Sequence, residues 1–104
     1  RLNPDAGYLY HLLLGRAYFF LDDMEQATIN LQEALDRNST NLEARVYLAA
    51  VLESRGDHDA ALWEREEILA LDASFQAREW LRTYPMSDAA QSGRLLKALT
   101  ILQL

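Results

Sequence analysis

Two histidines and two acidic runs are the side chains of this 104-residue chain best suited to chemistry: His11, His58, Asp22-Asp23, and Glu64 with Glu66 and Glu67. Paired carboxylates do acid–base work only in a sheltered cleft that drives their pKa values apart. Asp22-Asp23 falls in a turn and the three glutamates share one helical stretch, so solvated charge is the expectation for all five. The histidines are far apart in the sequence and neither has a carboxylate at metal-site spacing, so helix-surface or seam histidine is expected and no metal. The chain has no cysteine, which removes thiol nucleophiles, thiolate zinc sites and disulfides together. No G-x-S-x-G, phosphate loop or dinucleotide fingerprint occurs. The expectation is a chain that is not an enzyme and takes no cofactor; a small all-α hydrolase would need a buried His–carboxylate pair to revive it.

Sixteen acidic against ten basic residues give a formal charge of −6. A basic face is what nucleic acid and anionic lipid demand. Neither is an expected partner, and a basic peptide or protein surface suits the chain better. No run of about 18 apolar residues offers a membrane span, and no basic-then-apolar leader opens the chain. Together with the missing cysteines this is compatible with the cytoplasm. The chain opens at Arg1 rather than Met, from which an excised fragment is expected.

The elements that must position any site are helices, since helix formers dominate and only 4 Gly and 2 Pro interrupt them. Asn3-Pro4-Asp5 signals a start. The stretch from about Ala6 to Leu21 is apolar almost all round, with His11 and Arg16 as its polar exceptions, so more than one of its faces should be covered. Asp22 takes the turn in a left-handed conformation. Met24 to about Arg37 follows, with Ala27, Leu31, Ala34 and Leu35 inward. Asn38 to Asn41 breaks that helix and caps the next. Helices near Leu42–Arg55 and His58–Leu71 flank Gly56-Asp57, where glycine supplies the left-handed turn. A third first helix carrying Trp80 and Leu81 is cut short at Tyr84-Pro85. Ser87 or Asp88 then caps a last helix over Ala89 to Leu104, a packing cap and not a repeat.

Setting Gly15 on Ala49 aligns Leu14 with Leu48, Asp23 with Asp57 and Ala27 with Ala61, a period of about 34 residues. The first copy reads His11-x2-Leu14-Gly15-x2-Tyr18, then Ala27-x3-Leu31 and Ala34, with Ser39 at the end. The second reads Arg45-x2-Leu48-Ala49-x2-Leu52, then Ala61-x3-Arg65 and Ile68, with Ala73 at the end. Small residues at Gly15 and Ala49, answered by Ala27 and Ala61, let the helices of a pair approach while Leu14, Tyr18, Leu31 and Leu35 fill the seam. Arg65 stands where the first copy has Leu31, its stem expected along the seam and its head in water.

Over Tyr8 to Phe75 the pattern resembles the tetratricopeptide repeat family. The resemblance implies one all-α domain over residues 1–104: repeat one over 8–41, repeat two over 42–75 and a helical cap over 76–104, as an α–α superhelix. It also implies a protein or peptide partner on the concave face of the first helices, here Leu9, Leu12, Arg16, Phe19 and Phe20 with Glu43, Tyr47, Ala50, Glu53 and Ser54. Arg16, beside Phe19 and near Glu53, would hold a carboxylate or stack on an aromatic group; the alternative, which weighs more, is an ordinary surface arginine with an acidic neighbour on the next helix. Members that grip a terminal carboxylate carry Lys and Asn where this chain has Leu12, Arg16 and Tyr47, so that mode is not expected. Trp63 takes a convex position, either under the capping tail or a neighbouring loop or in a subunit contact. The tail from Leu81 to Leu102 resembles the repeat regions of bacterial class III adenylate or guanylate cyclase proteins, which implies a regulatory or dimerising segment. Self-association is expected as well, because an apolar first helix without a cover seeks one.

Overall fold

The computed structural model describes residues 6–83 and 89–104. The cap at Asn3-Pro4-Asp5, the stop at Tyr84-Pro85 and the cap at Ser87 or Asp88 lie outside the described residues. Within them the chain is all-α, and no strand occurs among the described residues. The helices run Ala6–Phe20 (α1), Met24–Arg37 (α2), Leu42–Ser54 (α3), His58–Leu71 (α4), Ala77–Thr83 (α5) and Ala89–Ile101 (α6). α1 pairs with α2 and α3 with α4, giving two helical hairpins, and α2 packs on α3 to join them.

The two hairpins repeat in their hydrogen bonds as well as in their residues. α1 ends with Asp22 at φ 64°, and the N–H of Asp23 reaches back to the Tyr18 carbonyl at 2.9 Å. At the matching place α3 ends with Gly56 at φ 85°, and the N–H of Asp57 reaches the Leu52 carbonyl at 2.9 Å. Each is a six-to-one closure around a left-handed residue, which satisfies the last carbonyls of a helix. Asp22 adopts this conformation as the sequence requires, because a short polar side chain tolerates it better than most. The second helices also end alike: the N–H of Asn38 bonds the Ala34 carbonyl and that of Asp72 the Ile68 carbonyl, both at 2.9 Å. One difference stands out. Asp23 accepts a bond from the Gln26 N–H and so caps α2, whereas the Asp57 side chain makes no such bond to α4.

Gly15 explains how α1 and α2 come together. A Cβ there would lie 2.5 Å from Leu31 Cγ and 3.4 Å from the Leu31 backbone nitrogen, so the absent side chain is what lets Leu31 seat against the α1 backbone. Leu31 is thus the nearest neighbour across the seam, with Ala27 and Ala34 fully buried on the same helix. Ala49 and Ala61 are fully buried in the second hairpin.

α3 is the centre of the molecule. It is contacted by α1, α2, α4 and α6, and every residue from Val46 to Leu52 is buried. α6 packs on α3 and α5 and buries Leu95, Ala98, Leu99 and Leu102. Its own end repeats the closure seen in the hairpins, with Gln103 at φ 61° and the Leu104 N–H bonded to the Leu99 carbonyl at 3.0 Å. Arg65 differs from its expectation here. Its head does not simply reach water: Nε donates to the Leu102 carbonyl at 2.8 Å, a cation placed on the electronegative end of α6.

Gly15→Ala is expected to lower stability by about 1–3 kcal/mol through overpacking. Leu31→Ala in the same chain should return part of that loss, read as a favourable coupling in a double-mutant cycle by denaturant unfolding. Strict additivity of the two changes would mean that Gly15 and Leu31 do not constrain each other.

Candidate functional site

Of the positions that the repeat pattern assigns to a partner groove, several are unavailable. Leu12, Phe19, Tyr47 and Ala50 are buried, and Tyr47 is completely so. The reason for Leu12 lies in the repeat itself: its counterpart Val46 is also buried, so this position faces the seam of each hairpin and not a groove. Tyr47 is walled in by rings from both sides in the chain, with Phe19 and Phe20 each at 6.1 Å and Trp80 at 6.4 Å between centroids. Phe20 is half-buried in this cluster, and Leu9 alone among the apolar positions stands half exposed.

The charged positions pair within the fold. Arg16 meets Glu43 at 3.2 Å, not Glu53, and its guanidinium lies 5.6 Å from the centre of the Tyr47 ring. Glu53 instead holds His58 Nδ1 at 2.6 Å. The Arg16 head is therefore committed within the fold, and its contact with Glu43 ties the two hairpins together. α6 completes the closure. From α6, Arg94 reaches the Phe19 and Phe20 carbonyls at 3.3 and 3.4 Å, pairs with Asp22 and covers the Phe19 ring at 5.2 Å. Side chains of the tail thus border this end of the expected groove, where a cavity of about 300 Å³ remains between Phe19, Glu53 and Ser54 on one side and Arg94 and Lys97 of α6 on the other.

The carboxylates and histidines separate into two kinds. Asp22 and Glu66 are solvated, as expected from their positions. Glu64 is not: it is only 6% exposed and accepts from Arg45 Nη1 at 3.0 Å. Burial raises its pKa above the ordinary carboxylate range, partly offset by the hydrogen bond and charge of Arg45. His11 takes the place of Arg45 in the first hairpin, and Asn30 that of Glu64. Its Nδ1 lies 3.1 Å from Asn30 Oδ1 while Asn30 Nδ2 donates to the Gln26 carbonyl at 2.9 Å, so the imidazole must carry the proton on Nδ1. His11–Asn30 and Arg45–Glu64 are one cross-link made twice, each spanning 19 residues. No group of three metal-binding side chains occurs among the described residues.

Two further surfaces are open. The first is the outer face of α1, where Tyr10 is 63% and Leu13 51% exposed beside exposed Ala17 and Leu21. The second is a cleft of about 590 Å³ between α2 and α4. Ile29 forms one wall and Trp63 the other, with Glu64 also contributing to its lining. Trp63 lies under neither the tail nor a loop: it is 57% exposed, with the Arg45 guanidinium 5.7 Å from its ring. The sequence reasoning missed Arg45, Arg55 and Arg94 as structural cations. For Arg45 the signal was present, because the repeat alignment sets it on His11 and Glu64 on Asn30. Comparison with family models, with characterised proteins and with solved structures finds no match.

The raised pKa of Glu64 has a definite sign. A carboxyl that titrates higher in the folded chain than in the unfolded one stabilises fully below the unfolded value, about 4.3, and loses that contribution as pH rises through the folded value. Wild-type melting temperatures should therefore fall more between pH 4.5 and pH 7 than those of Glu64→Gln. Parallel pH profiles for the two proteins would show that Glu64 ionises without cost.

Proposed function

We propose that the chain is a non-catalytic protein-interaction module of tetratricopeptide type that receives its partner on the outer face of α1. One observation carries this reading. Tyr10, Leu13 and Ala17 are exposed on α1, while their repeat counterparts Ala44, Tyr47 and Val51 on α3 are all 0% exposed. The same positions in the same kind of helix are covered in one hairpin and bare in the other. Covering an apolar side chain of this size contributes about 1.5–3 kcal/mol, and contiguous bare apolar surface is what protein partners bury.

The chemistry of the face narrows the partner. Among the described residues α1 itself carries no carboxylate, in a chain of net charge −6, so a second copy can meet this helix without bringing its acidic groups together. This also supports the second reading, a dimerising or regulatory segment attached to a nucleotide cyclase, in which the partner is another copy. No helix among the described residues is long and apolar enough to cross a membrane. A cytoplasmic setting belongs to the proposal and is supported by the absence of cysteine. Against catalysis stands the engagement of the interior groups, since Glu64 is held by Arg45 and His11 by Asn30.

Leu13→Glu tests the reading with little risk to the fold, because the side chain is half exposed. Sedimentation at micromolar concentration should show the wild type above its 11.9 kDa monomer mass and the variant at it, with unchanged helical circular dichroism. A wild type that sediments only as monomer excludes the second copy as partner at that concentration.

A further inference from the structure

We infer that the occupant of the outer α1 face is the same face of a second copy, the two α1 helices crossing antiparallel about a two-fold axis with Leu13 of each seated on Ala17 of the other. This deepens the reading of α1 as a docking helix and rests on it. Three features of the helix select that arrangement.

The first is spacing. Leu9, Leu13, Ala17 and Leu21 are all exposed and fall at every fourth position, so they form a single ridge along the outer side of α1. Ridges of this kind interdigitate with those of another helix in the commonest mode of helix packing. A two-fold contact adds a demand, because each residue must suit the residue it faces in both directions. The midpoint of the row lies between Leu13 and Ala17. An antiparallel crossing there sets the large side chain on the small one twice and brings Leu9 to Leu21 at either end. A parallel crossing instead sets Leu13 on Leu13 and Ala17 on Ala17, a bulge beside a gap, which close packing disfavours.

The second feature is the lack of charge to read. α1 carries no carboxylate among its described residues, and its arginine, Arg16, is bound to Glu43 within the fold. Shape therefore decides the partner, and the shape complements itself. On α3 the matching positions hold Tyr47 and Val51, both completely buried. One ridge per chain makes a closed pair and not an open array.

The third feature is the contrast between the helix ends. The turn Asp22-Asp23 is exposed just beyond the electronegative C-terminal end of α1. Parallel helices would bring the two acidic turns together. In the antiparallel crossing each turn lies toward the N-terminal end of the other α1, where Arg37 rests against Gly7: a Cβ on that glycine would be 2.7 Å from Arg37 Nε. Arg37 also holds Glu33, so this contact supplies direction more than affinity.

Two measurements on the whole chain test the pairing. The first exchanges sizes. Ala17→Leu adds apolar surface to the ridge, yet it should weaken dimerisation at least about tenfold in sedimentation, because the new side chain meets Leu13 of the other copy. Leu13→Ala should weaken it by a similar factor, and the chain carrying both changes should return to within about threefold of wild type. The second uses the absence of cysteine. Leu9→Cys and Leu21→Cys, mixed and oxidised, should give a covalent dimer. Neither should do so alone, since equivalent residues then lie about 18 Å apart along the helix at 1.5 Å per residue, beyond disulfide reach. Wild-type circular dichroism confirms that each variant is folded. Tighter association of Ala17→Leu, no recovery in the doubly changed chain, or cross-linking of either cysteine variant with itself overturns the antiparallel pairing; if Leu13→Glu still breaks the association, the α1 reading stands. A wild type that stays monomeric at several hundred micromolar overturns the second copy as occupant. Association that Leu13→Glu leaves intact overturns both.

Discussion

Two helix backbones can close on each other only where no side chain stands between them, and at Gly15 none does. The consequence spreads outward from that point. Leu31 drops against the α1 backbone, Ala27 and Ala34 are carried into the seam beside it, and the short connection through Asp22-Asp23 becomes geometrically possible. The second hairpin keeps the arrangement with Ala49, which fills slightly more of the gap. Once both hairpins exist, α2 lies on α3, and the apolar side chains all round α3 find a neighbour on every side.

Much of this was legible in the chain because it is written twice. A left-handed turn was expected at Asp22 and at Gly56, and both have it. The helices over 24–37 and 58–71 end where their polar successors allow, and the last helix begins and ends near its expected bounds. Repetition also held information that the residue-by-residue reading passed over. His11 with Asn30 and Arg45 with Glu64 occupy equivalent places, so a polar bridge in one hairpin implied one in the other. Taken alone, Glu64 is one acid among several on a helix. Aligned with Asn30, it becomes an interior group with a partner.

What the sequence did not disclose depends on contacts outside the repeat. Positions on a first helix can be assigned to a face from periodicity, but whether that face is open depends on every other element. Tyr47 and Phe19 are buried because Trp80 and α6 come over them, and the tail carries no periodic signal that gives its docking direction. Arg16 illustrates the same limit at the level of charge. Two acids on α3 were within its reach in the abstract, and the crossing of α1 over α3 selects Glu43 while Glu53 goes to His58.

The reach of Arg94 back to the end of α1 changes the kind of folding unit this is. Stacked hairpins ordinarily touch only their sequence neighbours, so they can fray from either end and melt in stages. Here α6 grips the Phe19 and Phe20 carbonyls across separations of 75 and 74 residues, so that it is tied to the C-terminal end of α1. α6 cannot lift away without loosening its hold on the C-terminal end of α1. Such a closed loop trades the rapid, local assembly of a linear array for a slower and more all-or-none transition, since distant partners must be brought together before the last contacts reward the search.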